Sequence, residues 1–214
     1  MSKRPREEED ALVRLVRSSK PAAVIFDLDH TLWNGNCENF GNARVMLSPT
    51  EITDLSAGSS LRLYPEVAEI FAVLTECDVK IGIASSSPAD AVARRLLRSF
   101  GLAPMIGHTE VHSGRKEPHL RALAKKLGVP LNRTIFLDDL PHNIKDAERL
   151  GCTSVRVPNG LTLTDLRSGL RRLGERGRGS ALMSSWLGGG STRSGELAAR
   201  AAPADEHKDS TTVG

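Results

Sequence analysis

Two carboxylates, Asp27 and Asp29, stand one residue apart in the stretch AAVIFDLDHTLW, residues 22–33. The apolar run Ala22–Phe26 ahead of them is rich in β-formers and reads as a strand buried on both faces, as in a parallel sheet. Residues two apart on a strand project to the same side. The spacing therefore crowds both acids at the strand's carboxyl end, where open α/β sheets bind ligands. Two carboxylates that close repel each other, and one takes a proton unless a cation holds them. A divalent ion meets that need, and hard oxygen ligands suit Mg²⁺. A lone D-x-D is more often a solvated acidic turn, so the chemistry depends on what else the chain delivers.

Three further elements deliver it. The apolar run Thr134–Leu137 ends in a second acid pair, Asp138 and Asp139. The run Val79–Ala84 ends in Ser85, Ser86 and Ser87, after which Pro88 opens a helix with Val92, Leu96 and Phe100 on one side and Gly101 at its end. A serine between a strand and a helix N-terminus makes an anion site, because hydroxyl, backbone N–H groups and helix dipole point one way. The same serines also serve as helix caps. Both uses fit, with Ser85 on the anion and Ser86 or Ser87 as the cap. Lys116 opens the helix that runs to Leu127 and stops at Gly128. A cation is unfavourable there for the helix dipole, which points to another task, such as neutralising phosphate or Asp27. His108, His112 and His119 are irregularly spaced and are not read as metal ligands.

The elements that position these residues alternate strand and helix, which predicts an α/β fold with a doubly wound, largely parallel sheet. A helix starts at Tyr64-Pro65-Glu66 with the buried stripe Val67, Ile70, Phe71 and Leu74; others run from Asn143 to Leu150 and from Leu161 to Leu173, and Thr153–Val157 is a fourth strand. Residues 34–60 are irregular and leave the ligand end of the first strand, so a lid or short hairpin over the site is expected. Residues 1–19 read as a charged, flexible arm, with at most an amphipathic turn or two around Leu12, Val13, Leu15 and Val16. Residues 174–214, rich in Gly, Ser, Ala and Arg, read as a disordered tail.

Composition excludes several classes. The 214 residues carry a net charge of only +3, with 39% hydrophobic and 26% charged residues, so no basic face of a nucleic-acid binder is implied. Cys37, Cys77 and Cys152 lie far apart, which argues for reduced thiols in a cytoplasmic protein and against a disulfide framework or zinc site. The KRPR stretch at 3–6 is a weak nuclear signal. No apolar run approaches the ~18 residues that span a bilayer, and no membrane partner is expected. A monomer is the expected state.

FDLDHTLW resembles the first motif of the haloacid dehalogenase superfamily of phosphohydrolases, and Ser85, Lys116 and Asp138-Asp139 match the other three in order across roughly residues 21–160. Together with RLYPEV, IAS and SGRK, the pattern is similar to that of the small capless magnesium-dependent phosphatases. The resemblance implies a Rossmann-like domain over residues 20–173 with a minimal cap or none. It implies a Mg²⁺-dependent phosphomonoester hydrolase working through an aspartyl-phosphate. In that scheme Asp27 is the nucleophile, Asp29 the acid and then the base, and Thr31, Ser85, Ser86 and Lys116 hold the substrate phosphate. Mg²⁺ falls to Asp27, the carbonyl of Asp29, Asp139 directly and Asp138 in a supporting place, with Asn143 near the ion. One departure is Ser86, where the family usually carries arginine; Arg94, Arg95 and Arg115 are candidate substitutes. Phosphotyrosine proteins and small sugar phosphates are the implied substrates, and the alternative is a catalytically silent phospho-ligand-binding module.

Overall fold

The computed structural model describes residues 6–41 and 45–188. In chain order these form α1 (Arg6–Ser19), β1 (Ala23–Phe26), a short 3-10 turn (Cys37–Phe40), β2 (Val45–Leu47), β3 (Glu51–Asp54), β4 (Ser59–Arg62), α2 (Val67–Glu76), β5 (Lys80–Ser85), α3 (Asp90–Ser99), β6 (His108–Val111), α4 (Lys116–Leu127), β7 (Thr134–Asp138), α5 (Pro141–Arg149), β8 (Thr153–Arg156) and α6 (Leu163–Gly188).

The main sheet has the order β6-β5-β1-β7-β8 and every pairing in it is parallel. From β1 the chain builds outward through β5 to β6, then returns to build β7 and β8 on the other side. The reversal opens a crevice at the carboxyl end of β1, the position at which such sheets bind ligands. Alternation along the strands divides the core. Val24, Phe26, Ile83 and Leu137 face α1, α2, α3 and α6, with Phe26 stacked on Phe71 at 5.1 Å. Ala23, Ile25 and Phe136 face Leu120 and Leu123 of α4 and Ala147 of α5. Burial on both faces is why these strands read as unbroken apolar runs.

Three expectations change, and one strand joins those expected. The segment expected as a lid or hairpin folds into a three-stranded antiparallel sheet, β2-β3-β4, whose outer turn is set by Asp54 Oδ1 accepting from Ser56 N, Ser56 Oγ and Ala57 N. The polar stretch HTEV is an edge strand, β6, paired to β5. Residues 6–19 are no flexible arm: they form α1, which packs on α6 and buries Leu12 and Val16, while Arg133 Nη2 donates to Ser19 O at 2.5 Å. Nor does a tail begin at residue 174, since α6 continues to Gly188. The rest of the expected tail, residues 189–214, lies outside the described residues. Among the described residues no helix is long and apolar enough to cross a membrane.

Candidate active site

Asp27 follows β1 directly, and its backbone N–H donates to Leu137 O of β7 at 3.0 Å. Its side chain is buried. Lys116, the first residue of α4, is 0% exposed. Its Nζ donates to Asp27 Oδ1 and to Ala84 O of β5, the latter at 2.5 Å, and lies 3.4 Å from Asp138 Oδ2 of β7. One ammonium thus binds the ends of three strands. A wholly buried lysine is tolerated because it makes two hydrogen bonds and stands against two carboxylates.

Asp138 is fully buried. Its Oδ1 accepts from Leu140 N at 2.8 Å and Asn143 Nδ2 at 2.9 Å, and Oδ2 lies 3.0 Å from the same amide nitrogen. Asn143 therefore orients an acid of the group expected to hold the ion. Asp27, Asp138 and Asp139 each offer an oxygen within 4.8 Å of the others. Burial is the main cause that pushes the Asp27 carboxyl up to about 7; Lys116 opposes it and Asp138 and Asp29 add to it. Burial and then Asp138 raise Asp139 as well. Three crowded carboxylates with one ammonium are under-neutralised, and an all-oxygen donor set suits a small hard divalent cation.

Asp29 is held differently. Its Oδ1 accepts from Trp33 Nε1 at 2.7 Å and from Cys37 N at 2.9 Å. Oδ2 has no protein partner among the described residues. The intervening turn forces His30 to φ 60. Lys20 and Asp78, the other non-glycine residues with positive φ among those described, end helices α1 and α2, a common use of that conformation. His30 ends no helix and is exposed. His30→Gly is expected to raise stability by roughly 0.5–1 kcal/mol, the relief of left-handed strain less glycine's extra entropy in the unfolded chain. A lower melting temperature would mean that the imidazole itself holds the loop. Thr31 is wholly buried, and its hydroxyl has no partner among the described residues; its carbonyl accepts from Leu161 N at 2.9 Å.

Ser85 ends β5, buried, and its Oγ accepts from Ser87 N at 3.2 Å. Neither Ser86 nor Ser87 caps the helix as expected: α3 begins at Asp90 behind Ala89 with no side-chain cap, and Ser87 Oγ instead closes the turn before it by accepting from Ala89 N at 3.2 Å. Ser86 Oγ donates to Gly114 O at 2.8 Å, which ties this loop to the one preceding Lys116. None of the arginines considered as substitutes is free. Arg94 pairs with Asp90 at 2.7 Å, Arg95 donates to Phe40 O, and Arg115 pairs with Asp146 at 2.5 Å. His119 is buried, with its ring nitrogens 2.7 Å from Arg115 O and 2.8 Å from His112 O, so it braces the loop that presents Lys116.

The contacts to Asp29 are absent from the sequence reading. Trp33 stands four residues on, a spacing that one helical turn brings back to Asp29, and was legible as a partner; Cys37, eight residues on, gave no signal.

The profile of the Acid Phosphatase family matches residues 19–176. Human magnesium-dependent phosphatase 1 is 34% identical over 150 residues, covering 70% of this chain and 85% of that protein. A Schizosaccharomyces pombe protein described as HAD-like hydrolase superfamily is 27% identical over 145 residues, 62% of this chain and 83% of its own. Among solved structures, a HAD-superfamily hydrolase from Ehrlichia chaffeensis superposes with a TM-score of 0.53 at 16% identity, covering 72% of this chain and 97% of that one. At that identity the likeness speaks for the fold alone.

Proposed function

The chain belongs to the Acid Phosphatase family and is a phosphatase of the haloacid dehalogenase superfamily, and we propose that it hydrolyses phosphomonoesters with Mg²⁺ through an aspartyl-phosphate on Asp27. The observation that carries this reading is the buried Asp27–Lys116–Asp138 cluster at the sheet's crossover, with Asp29 held separately two residues away. The name of the human relative supports the choice of metal.

Asp27, Asp138 and Asp139 would hold the ion. When bound, Mg²⁺ supplies positive charge that keeps these acids ionised and offsets charge on the phosphoryl group. Lys116 fixes Asp27 through Oδ1 and leaves Oδ2 to attack phosphorus, a covalent route that divides one difficult displacement into two. Ser85 and the backbone N–H groups that follow it receive the phosphoryl oxygens, with Lys116 adding its charge. Asp29 protonates the departing oxygen, then takes a proton from the water that opens the aspartyl-phosphate. A silent binding module needs no nucleophile beside a separately held proton carrier. The small β2-β3-β4 sheet is the insertion before α2, which fits phosphotyrosine proteins and small sugar phosphates alike.

The test is phosphate release from a panel of aryl phosphates, sugar phosphates and phosphotyrosine peptides, with Mg²⁺ or with excess EDTA. Hydrolysis that stops in EDTA and returns with Mg²⁺ is expected. Undiminished turnover in EDTA would remove the metal from the reading, and no release from any ester would remove the hydrolase.

A further inference from the structure

Oδ1 of Asp29 accepts two hydrogen bonds, from an indole at 2.7 Å and a backbone amide at 2.9 Å. Both donors come from the segment that leaves the first motif. Trp33 is wholly buried and its ring is tilted against Phe100 at 5.8 Å, so the indole N–H is held by core packing rather than by the site. Cys37 does more than supply its amide. Its thiol donates to Ser87 Oγ at 3.2 Å, and that hydroxyl in turn accepts from Ala89 N. Ser87 N donates to Ser85 Oγ at 3.2 Å. An unbroken set of contacts thus runs from Asp29 through Cys37 and Ser87 to Ser85. Burial chiefly, with Asp29 nearby, pushes the Cys37 thiol up to about 12, so it remains a donor.

From this geometry we propose that Trp33 and Cys37 are positioning residues: Trp33 commits Oδ1 of Asp29 to accepting, which leaves Oδ2 as the oxygen that carries the proton, and Cys37 fixes that carboxyl relative to the serine loop. The proposal rests on the phosphatase reading above. In the step concerned, the P–O bond to the leaving group breaks and its electron pair stays on the leaving oxygen. That oxygen takes the proton from Oδ2, while the new bond joins phosphorus to Asp27. Asp29 ends as a carboxylate whose charge is shared with the indole and amide N–H groups. In the second half, water attacks phosphorus, gives its proton to Oδ2, and releases Asp27.

The prediction concerns leaving groups. An alkyl phosphate needs the proton as its bond breaks; nitrophenyl phosphate does not. Trp33→Phe keeps an aromatic ring in the core and removes one N–H. It should lower kcat/KM, which reports only the steps up to departure of the leaving group, about tenfold on an alkyl phosphate, the usual range for losing a hydrogen bond to a charged group, and change kcat/KM on nitrophenyl phosphate less than about twofold. Cys37→Ala should raise KM on both esters through the serine loop, and Cys37→Ser should restore it. Wild-type hydrolysis of nitrophenyl phosphate is the control: without it the phosphatase reading falls, and the proposal with it. If that control holds and Trp33→Phe lowers kcat/KM on both esters equally, Trp33 is only packing and the proposal falls alone. Should Trp33→Phe fail to fold, the indole N–H resonance of ¹⁵N-Trp-labelled protein decides, since only Trp33 and Trp186 contribute. Asp29→Ala should move one of the two signals upfield as its acceptor is lost; two unmoved signals would overturn the assignment.

Discussion

Asp27→Asn lowers turnover at least about a thousandfold, the scale seen when a covalent nucleophile is removed, and leaves the fold intact. An amide cannot attack phosphorus, yet its oxygen still accepts from Lys116. The same substitution carries a stability signature that separates lost chemistry from lost structure. The Asp27 carboxyl is raised from 3.8 to about 7, chiefly by burial, so the folded protein holds this proton more tightly than the unfolded chain does. Its contribution to stability is therefore present below pH 3.8 and is lost as pH rises towards about 7. In metal-free protein the asparagine variant should gain on wild type over that window, read by urea denaturation at several pH values. A variant that loses stability throughout would mean the carboxylate is a structural anchor, and its lost turnover would prove nothing about attack.

Lys116→Met combines large effects on activity and on stability. The ammonium is wholly buried between Asp27 and Asp138, and an apolar side chain of similar length leaves both acids facing each other uncompensated. Breaking a buried ion pair from one side costs about 3–5 kcal/mol, so metal-free Lys116→Met should unfold at much lower urea. Turnover should fall by about a hundredfold or more, as for other groups that offset transition-state charge. Mg²⁺ should recover part of the stability, because it restores positive charge beside the same acids, and little of the activity. A variant as stable and as active as wild type would show that the lysine is dispensable at this crossover.

The sheet's ends were legible because the strands that form them are buried on both faces. Ala23–Phe26, Lys80–Ser85 and Thr134–Asp138 are apolar runs that stop at a charged or hydroxylated residue, and a parallel sheet brings those stops to one edge. The edge strand His108–Val111 lacks that signal, being paired on one side and half-exposed. α1 was hidden by its charges: the moment created by Leu12 and Val16 was visible, but its docking partner, α6, lies at the other end of the chain. In α6 itself the glycines read as breakers, whereas the helix runs through them and packs on α1. Tertiary contact overrode local propensity in both helices. At the site, residue types were readable and partners were not. That Asn143 turns to Asp138, that Arg115 is bound to Asp146, and that Cys37 bridges Asp29 and Ser87 follow from packing that no spacing encodes.

The identity of the attacking group is tested most directly by acid-quenching wild-type protein during turnover of nitrophenyl phosphate and mapping covalent phosphate by peptide mass spectrometry. A hydroxylamine-sensitive phosphoryl group on Asp27, absent from Asp27→Asn, is the expected result. Phosphate trapped on another residue, or an adduct that persists in Asp27→Asn, would contradict Asp27 as the nucleophile.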